Sequence, residues 1–215
     1  MEILTFLIGS FKAGGVFMYA ILAAMAIGTA IILERFLSLF VRNRGNGKAL
    51  WLTVKDLIQK ERLEEALRIC EKTGTFLSRI LASGIRKRVE SPSEEKIRGA
   101  LEEMILEVQP ALEKRIHYLY ALSNVSTLLG LLGTVTGLIQ SFTAVSMADP
   151  NQKAVLLASG ISLALNNTAF GLLIAIILML SYSLMQSKSA ALEDEIDEYS
   201  LKLLNLLKNG LPDKK

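Results

Sequence analysis

The sequence of 215 residues holds one cysteine, one histidine and four prolines, and aromatic residues make up only 7% of it. A single cysteine, Cys70, makes no internal disulfide, and one Cys with one His does not build a typical zinc site. The formal net charge of +3 is too small an excess to argue for nucleic acid, and no basic run carries interleaved aromatics. The most telling scarcity is of charge within three stretches. All 45 Lys, Arg, Asp and Glu residues lie outside Ala13 to Leu33, Tyr118 to Ala148 and Ala154 to Ser187, which run for 21, 31 and 34 residues. Each exceeds the roughly 20 residues that cross a bilayer as a helix. The first is too long for the core of a signal peptide, runs on to Val41 and meets Glu34-Arg35 with no credible cleavage site, so it reads as a permanent span.

What is present fits that reading. Hydrophobic residues reach 51% and mean hydropathy is +0.40, high for a water-soluble protein. The expected fold class is all-α, a three-pass helical membrane protein. Its segments are an external N-terminus (1–12), span one (13–41), a cytoplasmic helical domain (42–117), span two (118–148), an external turn (149–153), span three (154–187) and a cytoplasmic C-terminal helix (188–215). Orientation follows from the loops. The flanks at 1–12 and 149–153 are neutral, whereas the segment from Glu34 to His117 has 17 basic against 13 acidic residues, with Arg35, Arg42, Arg44 and Lys48 at one end and Lys114 and Arg115 at the other.

Within that segment Leu50, Val54, Leu57 and Ile58, then Leu63, Ala66, Leu67 and Cys70, recur at helical spacing and stop near Gly74. Phe76, Leu77, Ile80, Leu81 and Ile85 continue the pattern to Arg86-Lys87-Arg88, and Ser91-Pro92-Ser93-Glu94 marks a stop and a new start. From there Ile97, Leu101, Met104, Ile105, Val108 and Leu112 keep their period up to span two. This predicts one rod of about 50 residues, with Pro110 as a place for a bend. Span three also outruns a hydrocarbon core of about 30 Å, and Leu192, Ile196, Tyr199, Leu203 and Leu206 extend it as an amphipathic tail. Cys70 reads as a buried small side chain, Glu34-Arg35 as an interfacial anchor and His117 as an interfacial ring.

Spans two and three are polar in a way span one is not. Span two holds Ser123, Asn124, Ser126, Thr127, Thr134, Thr136, Ser141, Thr143 and Ser146. Span three holds Ser159, Ser162, Asn166, Asn167, Thr168, Ser181 and Ser183. Gly130, Gly133 and Gly137 in span two, and Gly160 and Gly171 in span three, recur with other small residues at four-residue spacing, which lets helices approach closely. Packing alone explains most single hydroxyls. The Asn166-Asn167 pair is harder to explain so, because amides are costly in hydrocarbon unless they face protein or water. With Asn151 at the apex of the turn, Thr134 and Thr168 lie equally far along their helices, about 25 Å from it. A polar belt of Thr134, Thr168, Asn166 and Asn167 then suits an ion path or a water-filled lining better than lipid contact. No Asp, Glu, Lys or His lies in the charge-free windows, so an acid that carries protons must come from another chain.

Three runs carry a family resemblance: Gly14-Gly15-Val16-Phe17-Met18-Tyr19 through to Glu34-Arg35, Leu129-Gly130-Leu131-Leu132-Gly133-Thr134-Val135-Thr136-Gly137, and Asn167-Thr168-Ala169-Phe170-Gly171-Leu172. They resemble the MotA/TolQ/ExbB proton-channel family over nearly the whole chain, and three passes with an outside N-terminus are closest to the ExbB/TolQ branch. The resemblance implies a homopentamer in the bacterial inner membrane around a dimer of a single-pass ExbD/TolR-like partner. It implies too that the partner's membrane aspartate carries the proton and that Thr134 and Thr168 are the channel-lining threonines facing it. It also implies a motor subunit that uses proton-motive force, with membrane lipid around it, no nucleic acid, no cofactor and no enzyme chemistry. One departure stands out: relatives commonly have Glu five residues before the span-three threonine, where this chain has Leu163. A divergent stator using another ion, or a structural membrane scaffold, are the alternatives.

Overall fold

The computed structural model describes residues 15–41, 43 and 46–208, and among these it is helical with no strand. The expected external segment 1–12 and the end of the C-terminal tail lie outside the described residues. The chain divides into two compact units: one drawn from residues up to Leu33 and from Arg115–Leu184, the other from Glu34–Lys114 and from Met185 onward.

The first unit contains three apolar helices long enough to cross a membrane. Helix α1 (Gly15–Phe36) turns Met18, Ile21 and Ala24 inward at helical spacing and leaves Val16, Tyr19, Leu22 and Ile27 outside. Helices α6 (Ile116–Met147) and α7 (Lys153–Lys208) are joined by a short turn. Their pattern is the reverse of a soluble protein. On α6 the buried positions include Ser123, Ser126, Gly130, Gly133 and Ser141, whereas Leu128, Leu131, Val135, Ile139 and Phe142 point outward. Small and polar residues inside with large apolar residues outside is the arrangement that lipid, not water, favours.

The second unit is built from short helices that pack in chain order: α2 (Gly47–Gln59), α3 (Leu63–Thr73), α4 (Phe76–Glu90) and α5 (Glu94–Glu113). Their ends follow local chemistry. The side chain of Asn46 accepts from the Ala49 N–H at 3.3 Å, that of Thr75 accepts from the Ser78 N–H at 3.2 Å, and Gly74 closes α3 in the left-handed region at φ 69°. Val54, Ala66, Cys70, Ile80, Leu81 and Leu101 are among its core residues. Burial pushes the Cys70 thiol up to about 12, in keeping with an inert core side chain.

The expected single rod from α5 into span two is not continuous. Pro110 lies inside α5, and the helix runs through it to Glu113. The break comes at Lys114 and Arg115, where Lys114 adopts an extended ψ of 122° and Arg115 a left-handed φ of 62°. With Arg115 out of helical geometry, the carbonyls of the last turn of α5 lose their intrahelical donors. One of them, at Ala111, accepts instead from Nη1 of Arg35 at 3.0 Å. Helix α7, by contrast, continues unbroken for 56 residues.

Candidate functional site

The hydroxyls of α6 and α7 sort into two groups by where their protons go. Most bond a carbonyl three or four residues back on their own helix: Ser126 to Leu122, Thr136 to Leu132, Ser141 to Gly137, Thr143 to Ile139, Ser181 to Ile177. These satisfy themselves and need no further role. Two reach across the seam between the helices. Ser123 Oγ donates to the Ala175 carbonyl at 3.0 Å, and Thr168 Oγ1 donates to the Gly130 carbonyl at 3.0 Å.

The second crossing is part of a tighter arrangement. Thr134 Oγ1 donates to the same Gly130 carbonyl at 3.1 Å, and the Thr134 and Thr168 hydroxyls are themselves hydrogen-bonded to one another. Two hydroxyl protons therefore face three contacts, so one contact is always without a proton of its own. The equal-depth expectation for Thr134 and Thr168 agrees with this pairing.

Glycine makes the approach possible. A Cβ on Gly130 would come within 3.1 Å of the Asn167 carbonyl oxygen, and one on Gly171 within 2.6 Å of the Ser126 carbonyl oxygen. A Cβ on Gly137 would meet the Ala164 side chain at 2.9 Å, and one on Gly160 would overlap Ser141. The four glycines singled out from spacing, Gly130, Gly133, Gly137 and Gly171, thus all lie where the helices touch. Of the two amides, Asn166 is half-buried, while Asn167 is enclosed, its side chain against Gly133. Leu163 is half-buried on the same helix.

Neither threonine titrates near neutral pH, but each offers oxygen lone pairs to water, to a hydrated cation or to a protonated acid. At the start of α6, Tyr120 and His117 stand against Tyr182, with ring centroids 5.5 and 6.5 Å away. Among the described residues no three His, Cys, Asp or Glu side chains are grouped to hold a metal ion.

Sequence reasoning missed one structural residue in the second unit, Asn43, and the helix-capping contact of another, Arg35. Asn43 donates from Nδ2 to the Ser38 carbonyl at 2.8 Å, within the π-helical turn Leu37–Val41, and its Oδ1 accepts from the Phe76 N–H at 3.0 Å. Arg35 caps α5 as described above, and its Nη2 also pairs with Glu34 at 3.1 Å. An Asn after a span and an Arg at a span's end are each common, and their partners lie 33 and 76 residues away.

Comparison with known proteins now bears on this arrangement. Residues 57–198 match the family described as the MotA/TolQ/ExbB proton channel family. A biopolymer transport protein ExbB homolog of Methanothermobacter thermautotrophicus is 30% identical over 192 residues, covering 89% of this chain and 66% of that protein. The Tol-Pal system protein TolQ of Haemophilus influenzae is 33% identical over 111 residues, 48% of each chain. The Pseudomonas putida biopolymer transport protein ExbB is 22% identical, covering 94% of this chain and 64% of its own length. The chain thus spans about two thirds of the length of its ExbB relatives. A solved structure of C. jejuni MotAB shares the fold at a TM-score of 0.67 and 17% identity, covering 94% of this chain and 78% of that one. With the family match running through more than half of the chain, from α2 across both helices of the threonine seam, the protein belongs to the MotA/TolQ/ExbB proton channel family.

Proposed function

We propose that this chain is the proton-channel subunit of an inner-membrane motor that converts proton-motive force into mechanical work. It acts as a homopentamer around a dimer of a single-pass ExbD/TolR-like protein. Residues 42–117 and the C-terminal helix face the cytoplasm, and the turn at 149–153 faces outward. The observation that carries the reading is the Thr134–Thr168 pair on the Gly130 carbonyl, set in spans that hold no acid or base of their own. Such a site solvates a proton or a protonated carboxyl brought by a partner; it does not itself carry the proton.

In this mechanism the partner's carboxylate is loaded from one side and unloaded to the other. The threonine hydroxyls stabilise it, or the water beside it, between those steps. Neutralising the acid changes how its helix fits the ring, and the ring and partner move relative to each other. The chain is then a channel subunit and not an enzyme.

The test is Thr134→Val and Thr168→Val, with the Ser variants beside them, in cells and in reconstituted vesicles. Val keeps the shape and loses the hydroxyl, so assembled complex should be present at normal abundance while proton flux and motor-dependent growth collapse. Ser should restore part of both. Normal activity in both Val variants at normal abundance would overturn the proposal and leave a scaffold whose threonines only pack helices.

A further inference from the structure

Asn167 is an anomaly in the seam that its neighbours define. Its side chain is 4% exposed, and its Oδ1 is enclosed and finds no hydrogen-bond donor in the chain. The neighbouring polar groups are satisfied: buried Ser123 across the seam, buried Ser126 on its own helix, and half-buried Thr168 at Gly130. A shielded amide oxygen with no donor destabilises the state that contains it, and an apolar side chain of the same volume would fit without that penalty. Buried polar atoms of this kind are rare enough in folded proteins to call for a cause.

Its position supplies one. Asn167 precedes Thr168 and packs on Gly133, which precedes Thr134. A Cβ at Gly133 would lie 2.8 Å from both Cβ and Nδ2 of the amide. Gly133 therefore leaves the amide its room directly beside the threonine pair. The pair is itself short of one proton for its three contacts, so it has no donor to lend to Oδ1. Because that oxygen is already shielded within the chain itself, a neighbouring copy or partner helix does not reach it.

We propose that Asn167 is a water-binding positioning residue of the ion path, and that the seam between α6 and α7 parts at Gly133 when an ion passes. The amide then takes up water, with Oδ1 accepting from it, and holds that water against the Thr134 and Thr168 hydroxyls. In the closed seam the amide is unsatisfied. In the open seam it is bonded, and this difference lowers the work of opening. The inference rests on the reading of Thr134 and Thr168 as ion-path residues and assigns the neighbouring amide a role that family resemblance does not.

The experiment compares Asn167→Leu, Asn167→Ser and the double variant Gly133→Ala/Asn167→Ala in the assembled complex. Two quantities are read: the thermal unfolding midpoint in detergent, and proton uptake into vesicles followed by an internal pH dye. Leu removes the unsatisfied group, so the midpoint should rise while proton uptake falls at least tenfold. Ser should recover part of the uptake. The double variant refills the seam with small apolar groups, so it should assemble with uptake still low, and it carries the test if Leu hinders assembly. A lowered midpoint in Asn167→Leu would mean that the amide is already bonded in the closed seam, and normal uptake in Leu or in the double variant would mean that it does not serve the path. Either result overturns this inference while loss of flux in Thr134→Val leaves the threonine reading standing; normal flux in both threonine Val variants instead removes that reading.

Discussion

Arg35 is charged and only 4% exposed; two of its guanidinium nitrogens meet acceptors, Nη1 the Ala111 carbonyl and Nη2 the Glu34 carboxylate, while Nε is enclosed without one. A cation at the C-terminus of a helix is also favoured by the helix dipole. Replacing it with Met should keep most of the packing but leave the Ala111 carbonyl without this donor, a loss of about 1–3 kcal/mol. Thermal unfolding of the purified complex measures it, and an unchanged midpoint in Arg35→Met would show that the cap is dispensable. From the sequence this Arg reads as an interfacial anchor, and that reading is incomplete for a physical reason. The carbonyl it serves is freed by a break in another helix, and nothing local to Glu34-Arg35 records it. Thr134 and Thr168 are the opposite case. Antiparallel helices joined by a short turn must pair residues equidistant from its apex, so their contact was legible from counting alone, whereas the sharing of one carbonyl was not.

Helix ends in the second unit show where local chemistry decides and where it does not. Gly74 sits in the left-handed region with open space around its would-be Cβ, so Gly74→Ala should cost about 1 kcal/mol through backbone strain alone. The end of α2 has the same need without the same residue. The Arg62 N–H bonds the Leu57 carbonyl and the Glu61 N–H bonds the Ile58 carbonyl, which leaves Glu61 at φ 59° where glycine is preferred. Glu61→Gly should therefore stabilise by about 0.5 kcal/mol, the relief of strain exceeding the entropy that glycine loses on folding. Chemical or thermal denaturation of the two variants should move in opposite directions, and a parallel shift would contradict the strain argument. The Gly74 stop and the Ser93–Glu94 start were readable because the deciding residues are adjacent in sequence. The break at Lys114–Arg115 was not: the proline that could interrupt the helix lies four residues earlier, and an arginine is an unusual residue for a left-handed position.

At the scale of the molecule, the distribution of charge identified three spans, and the buried and exposed faces of α1, α6 and α7 are those of helices solvated by lipid. Apolar side chains such as Leu128, Leu131 and Ile139 face outward along α6, so copies of the chain can associate through these faces as well as meet lipid. Under the proposed function, native mass spectrometry in mild detergent should give one closed ring, a pentamer; monomers alone would count against it. Orientation can be read by thiol labelling, since the one native cysteine is buried with its thiol pushed up to about 12 and should stay silent. A Lys60→Cys variant should label only from the cytoplasmic side and Gln152→Cys only from outside, and the reverse pattern would invert the proposed topology. The lipid-facing pattern was plain in the sequence because the bilayer acts on every residue of a span alike. Ring closure depends on shape between copies, which one chain's sequence records only weakly.

The shared carbonyl at Gly130 has a further consequence. Either threonine can donate to it while the other donates to its neighbour, and a half-turn of each hydroxyl exchanges these roles with no displacement of the backbone. Two arrangements so nearly equivalent give the site no preferred sense. In the proposed function the site therefore solvates the partner's acid without setting a direction, which comes instead from the gradient across the membrane and from the timing with which that acid is presented.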